Sequence, residues 1–132
     1  MRVKQGITVA RILAEPRLAP LVRLVSGEDG LERVIDHPRV QKPGLALAGH
    51  MHGVVPTRVQ ILGETEITYL ETLDEAEQAK RAELLFALNL SLVVVTRGAD
   101  PPEALLAAAR ESSTPLVIAA PRSSRTIQSI HL

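Results

Sequence analysis

Cysteine is missing from this 132-residue chain, as is tryptophan, and only one phenylalanine and one tyrosine occur. Without cysteine there is no disulfide and no thiolate chemistry, which fits a reducing compartment and makes the cytoplasm the expected location. Without aromatics the core must be aliphatic, and stacking on nucleic-acid bases is almost unavailable. Net charge is missing too: fifteen Lys and Arg balance fifteen Asp and Glu, so no overall field attracts a phosphate backbone, and bulk nucleic-acid binding is not expected. No stretch approaches the roughly 20 apolar residues of a membrane span, and the run after Met1–Gly6 is broken by Arg11, Glu15 and Arg17, so neither a span nor a signal peptide is read. Nowhere does Gly-x-x-x-x-Gly-Lys-Ser/Thr occur; phosphoryl transfer needs such a phosphate cradle and a metal ligand, so no kinase or phosphorylase activity is expected of this chain alone.

What is present is 45% hydrophobic sequence, dominated by Leu, Val, Ile and Ala, enough for one domain over residues 1–132. Charge is uneven along it. Residues 1–42 hold eight basic and five acidic side chains and residues 63–90 two basic and seven acidic, a pattern read as solvated helix faces.

Helix and strand signals alternate. Thr8 is placed to cap a short helix carrying Val9, Ile12 and Leu13, which Pro16 limits. Leu21–Ser26 and Arg33–Asp36 read as extended segments around Gly27-Glu28-Asp29-Gly30, predicting a small hairpin or paired edge. Arg58–Leu62, Leu90–Thr96 and Leu116–Ala120 are the best strands, the last two apolar on both faces. Glu64-Thr65-Glu66-Ile67 reads as a short helical turn after Gly63, its acids near the positive end, with Ile67 and Leu70 inward. Thr72, with Glu75 three positions on, predicts a capped helix over about 74–88, with Ala76, Ala79, Ala82, Leu85, Phe86 and Leu88 as its apolar face. Asp100-Pro101-Pro102-Glu103 predicts another that ends near Ser112, with proline at its first position and Leu105, Leu106 and Ala109 inward. This order predicts an α/β fold: a small sheet with at least partly parallel strands, right-handed helical crossovers, and a core including Val93, Val95, Leu106, Val117 and Ile118.

In such sheets ligands gather beyond the carboxyl ends of parallel strands. The loops there hold Thr96 and Arg97 on one side and Ser123, Ser124 and Arg125 on the other. Hydroxyls, helix amides and guanidinium groups of those five residues could converge on a small anion such as a phosphorylated metabolite; the plainer alternative is a helix cap flanked by solvated arginines. His37, His50 and His52 offer imidazoles for a metal, but no cysteine or suitably spaced carboxylate joins them, so exposed loop histidines are the expectation and a metal-site enzyme only a distant alternative. No cofactor and no metal is implied. Ser26 lacks the Gly-x-Ser-x-Gly elbow of a nucleophile, and Glu64 and Glu66 diverge too far to share a reacting atom.

Four segments carry a family resemblance: Lys42-Pro43-Gly44-Leu45-Ala46-Leu47-Ala48-Gly49; Arg58 through Leu70; Gly27 through Arg33; and Val94-Val95-Thr96-Arg97-Gly98. Together they resemble the N-terminal domain of bacterial HPr kinase/phosphorylase over nearly the whole chain. Arg39–Gly49 is also similar to the segment by which Mur ligase N-terminal domains contact a uridine nucleotide, so the resemblance implies a Mur ligase N-terminal-domain-like fold. Where that pattern has a serine before the arginine, this chain has Pro38, which brings no hydroxyl and no backbone donor, so nucleotide binding is not carried over. The family's enzyme phosphorylates and dephosphorylates a serine of the phosphocarrier HPr through a C-terminal catalytic domain, works as a homo-oligomer, and links transport to carbon metabolism. None of its catalytic residues matches a position here. The resemblance therefore implies a non-catalytic regulatory or assembly domain, separated from a missing C-terminal kinase domain, with that domain and HPr as candidate partners. The alternative is a stand-alone sensor of a small phosphorylated metabolite.

Overall fold

The computed structural model describes residues 6–37, 39–50, 52–96, 100–120 and 125–127. Its centre is a four-stranded sheet in the order β2-β6-β5-β4, formed by β2 (Val22–Ser26), β4 (Val59–Leu62), β5 (Leu92–Val95) and β6 (Leu116–Ala119). The β4, β5 and β6 strands are mutually parallel; β2 runs antiparallel to β6, with Val22 opposite Ala119 and a register shift between Leu24 and Ser26. The expected α/β architecture with partly parallel strands is what folds.

Both faces of the sheet are covered, which explains why β5 is apolar at every position. Val93 and Val95 point into one cluster with Leu62, Ile67, Leu70, Leu85 and Leu105. Leu92 and Val94 point into the other with Val9, Ile12, Leu18 and Ile35. The helical layer on the first face consists of α2 (Gly44–Leu47), α3 (Glu64–Glu71), α4 (Glu75–Phe86) and α5 (Glu103–Ser112). The second face is closed by α1 (Val9–Leu13), by the two-stranded sheet of β1 (Ile7–Thr8) and β3 (Val34–Ile35), and by Ile127. The α1 cap is as expected: Thr8 Oγ1 accepts from the Arg11 amide at 3.2 Å. Of the expected core, Val93, Val95 and Val117 are fully buried, whereas Leu106 and Ile118 are only partly so.

Three local expectations are corrected. The segments around Gly27–Gly30 do not pair: β2 joins β6, and β3 joins β1. The glycines serve close approach instead. Gly27 has φ +74°, and a Cβ there would lie 1.8 Å from the Thr114 carbonyl oxygen; one on Gly30 would lie 1.9 Å from that of Ser113. The turn between them packs directly on the backbone joining α5 to β6. Second, the cap of α4 is Asp74, whose Oδ1 accepts from the Glu77 amide at 2.8 Å, while Thr72 ends α3; the helix also ends at Phe86, short of Leu88, and Ala76 is exposed. Third, Pro102 stands one place earlier than expected, just before α5.

The N-terminal ends of β5 and β6 are locked by Arg33. Its Nη1 donates to the Leu90 carbonyl at 2.5 Å and to Thr114 Oγ1 at 3.0 Å, and its Nη2 to the Ser112 carbonyl at 2.7 Å. One planar fork thereby satisfies acceptors from two crossover connections.

Candidate functional site

With the lower end of the parallel strands closed by Arg33 and the Gly27–Gly30 turn, the candidate site lies at the opposite edge. Four parallel segments end there. Gln41 adds a one-residue parallel bridge beside β4: its amide donates to the Val59 carbonyl at 2.8 Å and its carbonyl accepts from the Ile61 amide at 2.7 Å. The Gln41 side chain also fastens the following loop, donating to the Gly53 carbonyl at 2.6 Å and accepting from the Val55 amide at 2.9 Å. That pairing brings Lys42-Pro43-Gly44 to the same edge as Gly63 after β4, Thr96 after β5 and Ala120 after β6.

At this edge Glu66 reaches back from the first turn of α3. Its Oε1 accepts from the Gly63 amide at 2.6 Å, one half of a capping box. Its Oε2 faces Gly44, 3.7 Å from where a Cβ on that residue would stand. Thr96 flanks Gly63 on another side: its amide donates to the Leu62 carbonyl at 3.0 Å, and its Oγ1 lies 3.6 Å from the position of a Cβ on Gly63. Among the described residues the Thr96 hydroxyl makes no hydrogen bond and Glu66 has no cationic partner.

Of the five residues expected to bind an anion, Thr96 stands at the end of β5, partly buried, and Arg125 is exposed at the start of the helical turn 125–127. Arg97, Ser123 and Ser124 lie outside the described residues. The strands that lead to the two loops, β5 and β6, are adjacent and parallel. The Glu66 carboxylate stands across Gly63 from Thr96, the two lying 3.4 and 3.6 Å from where a Cβ on that glycine would be. A second acidic feature lies between the N-terminal ends of α4 and α5, where a groove of about 510 Å³ is lined by Glu71, Glu75, Asp100 and Glu103. His50 and His52 are exposed and His37 partly buried; among the described residues no group of three or more His, Cys, Asp or Glu side chains could hold a metal ion. Nor is any helix among them long and apolar enough to cross a membrane.

Sequence reasoning took Glu66 for a helix-start acid and overlooked its seat between two glycines. The signal available was Gly63-Glu64-Thr65-Glu66, a cap position with an acid three residues on; its proximity to Thr96 follows only from the β4–β5 pairing of Leu62 with Val95.

A mixed, mainly parallel sheet with its long helices on one face and a small antiparallel sheet on the other is an α/β domain consistent with the Mur ligase N-terminal-domain fold. Within that class the assignment is specific: residues 7–132 match the family model described as HPr Serine kinase N terminus, and the chain belongs to that family.

Proposed function

We propose that this chain acts as a non-catalytic regulatory or assembly domain of an HPr(Ser) kinase/phosphorylase-like protein, serving carbon metabolism in the cytoplasm through the phosphocarrier HPr. The observation that carries this reading is the family match over residues 7–132, joined to a sequence in which no phosphate-cradling motif occurs. Its partner on this reading is a C-terminal kinase domain, with HPr as a second contact and a homo-oligomer as the assembled form. The test is to produce that kinase domain with and without this chain fused ahead of it and compare subunit assembly by light scattering. A change in assembly state or in its concentration dependence supports the role, and identical behaviour in both, with identical response of the kinase to metabolites, rejects it.

A second reading, a sensor of a small phosphorylated metabolite bound by Thr96, Arg97, Ser123, Ser124 and Arg125, is favoured by one observation: β5 and β6 are adjacent and parallel, so the chain leaves Val95 and Ala119 at the same edge of the sheet. Titrating phosphorylated metabolites against the chain and an Arg97→Ala, Arg125→Ala double variant tests it; equal affinity in both would reject that site.

A further inference from the structure

Gln60 is the polar residue of β4, and its place in the strand is an apolar one. It alternates with Val59 and Ile61, which belong to the second cluster, and so shares with Leu62 the face toward the helical layer. There it is fully buried. Its Nε2 donates to Gln41 Oε1 at 3.0 Å, to the Val55 carbonyl at 2.9 Å and, more weakly, to the Arg58 carbonyl at 3.3 Å. Turned end for end, the amide would set its oxygen against the same three acceptors, so its orientation is fixed. Its Oε1 is buried without a hydrogen-bond partner. An apolar side chain of the same length would avoid that unmet acceptor, so what the glutamine supplies lies on its Nε2 side.

We propose that the Gln41–Gln60 side-chain pair is a register key: it fixes residues 39–44 on β4 in one alignment and thereby sets where Lys42 and Gly44 stand at the candidate edge. Gln41 lies directly opposite Gln60 in the parallel bridge. Its Oε1 takes the Gln60 amide and also accepts from the Val55 amide at 2.9 Å. Residues 39–43 read Arg-Val-Gln-Lys-Pro, and Gln41 alone among them carries a side-chain acceptor. A slip of one residue would turn the segment's side chains to the other face. It would bring opposite Gln60 either Val40, which now packs on the second cluster and offers no acceptor, or Lys42, now exposed, whose charge would enter a buried place. A slip of two would bring Arg39, a further donor, or Pro43, which has no amide to give the Val59 carbonyl that Gln41 now serves. Each alternative takes an acceptor from the Gln60 amide inside the protein. Buried polar pairs used in this way set register at a cost in stability, and here the cost is the unmet Oε1. Strand residues are about 3.3 Å apart, so each step of slip would carry Lys42 that far along the edge. The proposal does not rest on the regulatory role or on the anion site.

The test is amide exchange and signal counting by NMR on the isotope-labelled chain and on Gln60→Met, an apolar side chain of similar length. The Ile61 amide, which donates to the Gln41 carbonyl, and the Val55 amide report the key; the Val93 and Val95 amides report the core. In Gln60→Met, Ile61 and Val55 are expected to lose protection by at least about tenfold, as one lost hydrogen bond implies, with a second set of signals for residues 39–44, while Val93 and Val95 keep theirs. A residue that only fills space would not split those signals. Gln41→Ala, at a partly exposed position, removes the other half of the pair and decides by the same criteria if Gln60→Met does not fold. One set of signals with unchanged protection at Ile61 and Val55, or protection lost equally at Val93 and Val95, would overturn the proposal.

Discussion

Replacing Arg33 by alanine should cost more stability than any comparable change of a charged side chain in this domain. The guanidinium donates three hydrogen bonds to acceptors 57 to 81 residues away in sequence, on Leu90, Ser112 and Thr114, and the residues Leu90 and Thr114 are fully buried. Hydrogen bonds to a charged group contribute about 1.5–3 kcal/mol each, and a buried acceptor left without a partner costs about 1–3 kcal/mol. Those terms do not add, because Thr114 Oγ1 keeps the Ser112 hydroxyl at 2.9 Å and water can enter beside a side chain that is itself only partly buried. A net loss of about 2–4 kcal/mol is expected. With an unfolding entropy of about 2.1 cal/mol/K per residue, the 132 residues convert this into a fall in Tm of about 7–14 °C. Calorimetry or chemical denaturation with matched m-values measures it. Arg33→Lys should recover only a minor part, because a point charge cannot serve three divergent acceptors. Arg110→Ala supplies the contrast: its ion pair with Glu103 spans 3.7 Å with both side chains largely exposed, so less than about 0.5 kcal/mol is expected. An Arg33→Ala variant as stable as Arg110→Ala would refute the locking role.

Other substitutions read out other parts of the fold. Val95→Ala removes a fully buried side chain from the central strand and should cost about 1–3 kcal/mol; an unchanged denaturation midpoint would contradict its central place. Gly27→Ala should cost at least about 3 kcal/mol and reduce soluble yield, combining a positive φ with a backbone clash at 1.8 Å; native-like stability would show that the turn can withdraw from Thr114. Ser113 ends α5 with φ 54°, so Ser113→Gly should stabilise by about 0.5–1 kcal/mol, seen as a higher Tm.

The parallel half of the sheet was legible because its signals are local: Leu92–Val95 is apolar throughout, and the acids of α3 and the Asp74 region announce helix starts. What failed depended on distance. A glycine-bounded turn between two extended segments looks the same whether those segments pair with each other or with strands elsewhere, and only the Val22–Ala119 register decides for the latter. Thr72 and Asp74 are both good cap residues with an acid three positions on, and local chemistry does not rank them. Leu106 and Ile118 read as core because their neighbours are; each instead lies where the packing thins. The Arg33 fork left no local trace, since its acceptors are backbone carbonyls and a threonine far along the chain. For the site, the strand-end rule placed Thr96 at the end of β5, but the Glu66 carboxylate across Gly63 from it emerges only when β4 and β5 lie side by side.

Serine phosphorylation of HPr is the most direct measure of the central claim, that this member of the HPr kinase N-terminal family acts through an attached kinase domain and not by its own chemistry. The phosphoserine formed with ATP and magnesium should be quantified by mass spectrometry for this chain alone, the kinase domain alone, and the two fused. The account predicts none above background with the chain alone, and a rate or metabolite response for the fusion that differs from the bare kinase domain. Phosphoserine formed by the chain alone, co-purifying with it and abolished by its mutation, would contradict the account, as would a fusion indistinguishable from the kinase domain.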